Sequence, residues 1–354
     1  MKLTGLAALI AALLSAAPVL AAAPYPGQRD GDFTIADFAL TNGRHLAGAR
    51  FHYTVLGTPL RDAAGAITNA VMLLHGTTGT GKNFLAPSLA GVLFGPGQPL
   101  DAAKYFIILP DTIGHGGSSK PSDGLKGTFP QYGYLDAVEG EYRLATEGLG
   151  LKHLRLVLGT SMGGMQTWIW GERHPGFMDA LMPIASQPVP IAGRNMLWRQ
   201  TIVEAIRDDP DWHDGNYTKQ PQGFVRVLPI FNIMTNNATF LQQAAPTRDK
   251  AVTLYDQWVG DYAKGIDADD YLYWFESSYD YDPSPELEKI QAKLVAVNFA
   301  DDLLNPAELG TMEAAMARIK TGRYVLIPAS PTTRGHQTLT LATVWKGALI
   351  DLLK

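Results

Sequence analysis

The stretch Leu156-Val157-Leu158-Gly159-Thr160-Ser161-Met162-Gly163-Gly164 is an apolar run that stops abruptly at a glycine-flanked serine. It reads as a buried strand feeding a tight turn, with Met165 to Arg173 continuing as a helix. The spacing Gly159-x-Ser161-x-Gly163 is that of a nucleophile elbow, where a serine in strained backbone geometry projects its hydroxyl from the top of a parallel sheet. Glycine is required on either side, because a Cβ would collide with the neighbouring strand and helix where the chain reverses. A five-residue pattern is weak evidence in a glycine-rich chain. The strand before it and the helix after it give it weight.

Upstream, Val71-Met72-Leu73-Leu74 runs into His75-Gly76-Thr77-Thr78-Gly79-Thr80-Gly81-Lys82, and two readings compete. Gly76 to Lys82 satisfies most of the spacing of a phosphate-binding loop. Asn83, however, stands where that loop needs a serine or threonine to ligate magnesium. The other reading is an oxyanion loop, whose backbone N–H groups after a His-Gly pair face a developing negative oxygen. Thr77 would supply one donor and Met162, just after the serine, the other; only this reading also explains Ser161. Asp32 to Phe38 and Arg50 to Leu56 alternate apolar and polar residues around Asn42-Gly43, as antiparallel edge strands do. Tyr105 to Leu109 is a further buried strand, and the glycine-rich loop Pro110 to Pro121 after it lacks a dinucleotide fingerprint. His115 in that loop precedes the serine in the chain, which counts against it as the base.

Downstream, a strand is expected at Ala180 to Ile184, after which sheet-like patterning disappears until Leu294 to Val297. The intervening aromatic segments Trp198 to Ile206, Phe224 to Met234 and Tyr271 to Phe275 have helical periodicity and read as a helical lid inserted at about 190–285. Asp301 and Asp302 follow the late strand, where an acid that orients a histidine belongs. After the last strand candidate, Tyr324 to Ile327, comes Gly335-His336, the only histidine beyond those aspartates. Taken together, Ser161, Asp302 and His336 form an ordered nucleophile, acid and base.

The chain opens with Lys2, an apolar segment Leu6 to Leu14 and small residues ending at Ala21-Ala22-Ala23, the pattern of an export signal over 1–23. The apolar segment is too short to span a bilayer, so a secreted or periplasmic protein of 24–354 is expected, with no membrane contact after signal removal. With 46% hydrophobic and 18% charged residues, the chain can bury a large core as one domain. A net charge of −5 argues against a nucleic-acid partner, and the absence of cysteine removes disulfides, thiolate nucleophiles and zinc-thiolate sites together.

The segment GTSMGGMQTWIW, the DPDW of Asp209 to Trp212 with Gly215 and Tyr217 after it, the DADDYLY of Asp267 to Tyr273 and the DLLNP of Asp302 to Pro306 resemble the homoserine O-acetyltransferase family. The resemblance runs over most of the mature chain. It implies an α/β-hydrolase fold, a mostly parallel sheet with flanking helices and an inserted helical lid, and a Ser-Asp-His triad that forms an acyl-enzyme. Residue by residue it carries over to Ser161, Asp302 and His336, with Asp302 preferred to Asp301 because it matches the family's Asp-x-Leu-x-Pro. The order Ser, Asp, His along the chain is also that of α/β-hydrolases rather than of the two best-known serine protease classes. No cofactor or metal is implied.

The departures bear on function. Family members that bind homoserine look to a lid arginine for the amino-acid carboxylate, and the aligned position here is Leu228, with Arg226 displaced by two. The family's His-Ala-Leu-Thr-Gly-Asp loop is altered to His75-Gly76-Thr77-Thr78-Gly79-Thr80. Export would also separate the protein from cytoplasmic acetyl-CoA. The expectation is therefore a serine hydrolase acting on a small-molecule carboxylic ester, with lid aromatics such as Trp198, Phe231 and Trp274 shaping the pocket. The alternatives are an O-acyltransferase of the homoserine O-acetyltransferase type and a catalytically silent binding protein. The partners implied are the ester and, at most, a second copy of the chain.

Overall fold

The computed structural model describes residues 25–265 and 267–354, so the expected signal segment 1–23 lies outside the described residues. Eight strands form one sheet: β1 (Arg29–Ala39), β2 (His45–Leu56), β3 (Ala70–Leu74), β4 (Phe106–Pro110), β5 (Leu156–Thr160), β6 (Ala180–Ile184), β7 (Lys293–Phe299) and β8 (Gly322–Ile327). Their order is β1-β2-β4-β3-β5-β6-β7-β8. As the alternating pattern predicts, β1 and β2 are antiparallel and lie at one edge; β2 also pairs antiparallel with β4, and the other pairings are parallel.

Helices α1 (Pro87–Leu93), α2 (Tyr134–Arg143) and α3 (Met162–Arg173) follow β3, β4 and β5. Between β6 and β7 comes an insertion with α4 (Gly193–Arg207), α5 (Pro229–Thr235), α6 (Ala238–Ala244), α7 (Arg248–Gly265) and α8 (Ala268–Glu276). α9 (Thr311–Met316) and α10 (Ala342–Leu352) complete the fold.

The strands β3 and β5 are buried at every position, and without a polar side chain except at Thr160, because both faces of the sheet are covered. Their side chains alternate between two cores. Met72, Leu74 and Val157 pack with Val138 of α2 and Met165, Trp168 and Ile169 of α3, whereas Val71, Leu73, Leu156 and Leu158 pack with Leu89 and Leu93 of α1 and Trp345 and Leu349 of α10. Burying each such side chain contributes about 1.5–3 kcal/mol, the main stabilising term open to a chain without cysteine. A third core joins Phe38, Phe51 and Ala137 to Trp198, Ile202, Phe275 and Leu228, so the insertion packs on the first two strands and α2.

The insertion departs from the periodicity reading in two places. Phe224 to Met234 is not one helix: Phe224–Arg226 is a single 3₁₀ turn and α5 restarts at Pro229. Proline lacks an N–H and clashes with the carbonyl four residues earlier, so it stands in the first turn of a helix and not inside one. The 18-residue α7 escapes detection because it buries no residue and so carries no continuous apolar face.

The chain can reverse between β5 and α3 only because two positions lack a side chain. A Cβ on Gly159 would stand 1.9 Å from the Gly163 carbonyl oxygen, and one on Gly163 would stand 2.1 Å from that of Leu74. Both obstacles are backbone. Gly163→Ala is expected to lower unfolding stability by about 3 kcal/mol or more. By contrast, Gly347→Ala on the exposed side of α10, where an added Cβ meets nothing within 4 Å, should raise it by about 0.5–1 kcal/mol. Urea titration of both variants measures the two signs.

Candidate functional site

The strand order switches between β3 and β5, since the connection from β3 runs one way across the sheet to β4 and the sheet then continues on the other side with β5. Crevices at such points, at the carboxyl ends of the strands, are where open α/β sheets bind ligands. Ser161 stands there at the end of β5, with φ 55° and ψ −114°. A non-glycine residue in that conformation costs about 1–3 kcal/mol and persists because its surroundings over-determine it. Its N–H donates to the Ile184 carbonyl at 2.9 Å and its carbonyl accepts the Met165 N–H at 2.9 Å, so the backbone is held on both sides.

The loops after β7 and β8 bring Asp302 and His336 to the same edge. His336 Nε2 lies 2.8 Å from Ser161 Oγ and His336 Nδ1 lies 2.7 Å from Asp302 Oδ2, in one hydrogen-bonded chain. The two side chains are 4% and 0% exposed, so the His336–Asp302 contact is dry. Asp302 accepts two further bonds, from the Leu304 N–H at 2.8 Å and from Asn305 Nδ2 at 2.9 Å. Burial alone would push the Asp302 carboxyl up; the charge of His336 and the bonds from His336, Asn305 and the Leu304 N–H outweigh it and hold the carboxyl below its ordinary value. Asn305, which also donates to the Ala185 carbonyl at 3.0 Å, was not singled out from the sequence. The available signal was an amide side chain three residues after the acid, inside the same loop. Asp301 turns away from His336 and accepts from Asn237, Thr333 and the Gly335 N–H.

Thr77 lines the same cavity as Ser161 and His336, and Met162 follows Ser161 in the chain. No acceptor among the described residues takes the Thr77 N–H, and Met162 is the first residue of α3, where an N–H has no intrahelical partner. The direction of the Thr77 N–H follows from its own peptide plane. The Gly76 carbonyl accepts from His75 Nδ1 at 2.8 Å and from the Gly79 N–H at 2.9 Å, and in a trans peptide the N–H points opposite the carbonyl.

Two buried histidines hold the loop, and neither is charged. His75 Nε2 accepts the Thr112 N–H at 3.1 Å, which leaves the proton on Nδ1 for Gly76; burial pushes its pKa down to about 4. His115, lowered to about 3 by burial and by neighbouring His75, bonds through Nε2 to the Thr77 carbonyl at 2.7 Å. His115 therefore braces the peptide after Thr77 and does not approach Ser161 as a base. The phosphate-loop alternative fails on the same loop. The Gly81 N–H is taken by Asp111 Oδ1 at 2.7 Å, and Lys82 Nζ points to Asp30 Oδ2 at 2.7 Å on the surface.

Ser161 and His336 open onto a cavity of about 180 Å³, whose walls include His75 to Gly79, Phe84, Leu89, Phe231 and Leu339. No lysine, arginine, aspartate or glutamate lines it. Of the three aromatics expected at the pocket, only Phe231 reaches the wall. Trp198 packs behind Phe231 with ring centroids 5.5 Å apart, and Trp274 is stacked on His115 at 4.8 Å. Leu228 is buried in the third core and Arg226 is exposed, so neither places a cation at the cavity. The buried Arg199 of α4 directs N–H groups to Asn195 and Ser278, lies over the Trp198 ring and is not among the residues that line the cavity.

Comparison with known proteins agrees with this architecture. The chain is 27% identical to a homoserine O-acetyltransferase of Gluconobacter oxydans, over 84% of this chain and 86% of that one. The solved homoserine O-acetyltransferase of Bacillus anthracis superposes with a TM-score of 0.80 at 18% identity, covering 92% of this chain and 98% of the other. The acetyl esterase MekB superposes equally closely, with a TM-score of 0.79 at 23% identity over 92% and 96% of the two chains. At those identities the two structures speak to the fold alone, which an esterase and an acyltransferase share. A family profile described as alpha/beta hydrolase fold matches residues 69–308, from the start of β3 through the loop that carries Asp302. On that match, which spans well over half of its length, the chain belongs to the α/β-hydrolase fold family.

Proposed function

We propose that the protein is an exported serine hydrolase that cleaves a short-chain, uncharged carboxylic ester through an acyl-enzyme on Ser161. The observation that carries this reading is a hydrogen-bonded Ser161–His336–Asp302 chain opening onto a small cavity without a fixed charge. Ser161 Oγ attacks the ester carbonyl carbon while its proton passes to His336 Nε2. Asp302 keeps the other ring proton on Nδ1 and stabilises the imidazolium. The oxyanion is stabilised by the N–H groups of Thr77 and Met162. As the tetrahedral species collapses, the C–O bond to the alcohol breaks and the alkoxide takes the proton from His336. Water, deprotonated by His336, then attacks the acyl carbonyl; the acid departs and Ser161 regains its proton.

The names of the relatives favour a second reading, an O-acyltransferase in which an acceptor alcohol replaces water. An amino-acid acceptor brings a carboxylate that must be matched by a fixed cation, and the walls of the cavity provide none. At about 180 Å³ the cavity is below the ~300–1,000 Å³ typical of sites for drug-sized ligands, which suits an acyl group of a few carbons.

Ser161→Ala is expected to lose all labelling by a fluorophosphonate and at least about 10⁴-fold in ester turnover. Labelling that survives the substitution would place the nucleophile elsewhere. Asp302→Asn should cost about 10⁴-fold in kcat, because an amide at that position favours the wrong imidazole tautomer. In a third measurement, the mature protein receives p-nitrophenyl acetate and p-nitrophenyl decanoate, and in parallel acetyl-CoA with homoserine or serine. Cleavage of the acetate in preference to the decanoate, without amino-acid acetylation, is the expected pattern. Efficient acetylation with negligible hydrolysis would overturn the hydrolase reading in favour of the transferase.

A further inference from the structure

The loop that carries His336 is tied to the insertion by a cluster the mechanism does not use. Asp301 Oδ2 accepts from Asn237 Nδ2 at 2.6 Å, from Thr333 Oγ1 at 2.7 Å and from the Gly335 N–H at 3.3 Å. Asn237 uses its whole amide. Its Oδ1 caps α6 by accepting the Phe240 N–H at 2.7 Å, while Nδ2 reaches both Asp301 and the Thr333 carbonyl, the latter at 3.0 Å. Gly335, at φ 63°, fits between them: a Cβ there would stand 3.0 Å from the Asn237 backbone nitrogen and 3.1 Å from the Asp301 backbone carbonyl oxygen. One residue earlier, the Arg334 guanidinium lies over the Phe240 ring, 4.9 Å from its centroid. Residues 333 to 335, immediately before His336, are thus held by the acid-bearing loop on one side and by the first turn of α6 on the other.

We infer that Asp301 and Asn237 are positioning residues for His336, so that the imidazole stands at Ser161 only while α6 of the insertion is docked on the base-bearing loop. This rests on the reading in which His336 activates Ser161, and it holds whether water or an alcohol accepts the acyl group. Both aspartates of the Asp301-Asp302 pair then serve one histidine. Asp302 bonds its ring, and Asp301 bonds the backbone that presents it. The geometry also makes docking of the insertion part of the assembly of the site, because Asn237 belongs to the insertion and Thr333 to the loop.

Asn237→Asp separates capping from clamping. Aspartate caps a helix as well as asparagine does, but here it faces Asp301 without a proton to donate and with like charge. The readout is the second-order rate of Ser161 labelling by a fluorophosphonate, per folded protein and well below the thermal midpoint, together with kcat and KM for p-nitrophenyl acetate. Asn237→Asp and Asp301→Ala are each expected to slow labelling and kcat by about 10–100-fold with KM changed little, as misplacement of a catalytic group does. Asp301→Asn, which keeps an acceptor oxygen, should lose less than Asp301→Ala. The exchanged pair Asn237→Asp with Asp301→Asn restores a donor opposite an acceptor and should recover part of what Asn237→Asp loses. Wild-type labelling rates in Asn237→Asp or Asp301→Ala, or no recovery in the exchanged pair, would overturn the inference and leave Ser161 as the nucleophile. Absence of labelling in the wild type would instead overturn the nucleophile itself, and the clamp's proposed role with it.

Discussion

Everything at the candidate site depends on how closely the turn between β5 and α3 approaches β3. With Gly159 and Gly163 bare, the end of β5 sits against the Gly163 carbonyl and the start of α3 against the Leu74 carbonyl, and Ser161 is left at φ 55° with its side chain projecting from the sheet. The contact also registers the two halves of the site, because the Gly163 N–H donates to the His75 carbonyl at 2.9 Å. The loop that carries Thr77 is therefore attached to the turn that carries Ser161 and Met162. Backbone strain at one residue is offset by a sheet whose central strands are buried on both faces.

The second constraint is electrical. In a dry environment an unneutralised charge is costly, and the structure keeps charge away from the loop that carries Thr77: His75 and His115 are both neutral and each is bonded to a backbone carbonyl. A protonated histidine beside Thr77 would be a buried charge without a carboxylate partner and would hold anionic products. Two neutral dipoles fix the peptide geometry without doing so. The one buried carboxylate in the chain of groups at Ser161 is Asp302, which is surrounded by donors and so stays ionised despite burial.

The sheet and the turn at Ser161 were legible in the sequence because each depends on local chemistry. Continuous apolar runs mark strands covered on both faces, and glycines around a serine mark a turn that tolerates no Cβ. The choice of Asp302 over Asp301 came from a motif match, and the structure turns Asp302 to the His336 ring and Asp301 to Asn237. What could not be read was which surface a buried residue faces. Trp198, Phe231 and Trp274 have the same aromatic, helical signature, yet only Phe231 meets the cavity, because periodicity reports burial and not the identity of the neighbour. Asn237 and Thr333 were silent for a related reason. Their importance is a contact between segments 96 residues apart, which no local pattern encodes.

These constraints together bear on how one fold divides between hydrolysis and acyl transfer. Both reactions share the acyl-enzyme, so the strained serine, the histidine and the oxyanion loop are indifferent to the outcome. The difference lies in what can be held against the acyl group long enough to outcompete water, and that is a property of the cavity walls. Here the walls include the loop that carries Thr77, Phe231 of α5 and residues just after His336, and none of them carries a fixed charge. The insertion's buried cation, Arg199, is turned toward Asn195, Ser278 and Trp198. A charged acceptor would have to be desolvated at such a wall without compensation, at a cost of several kcal/mol, whereas water enters without that cost. The insertion would then act in two ways, selecting the acceptor through what Phe231 leaves open and setting the base through what Asn237 holds closed.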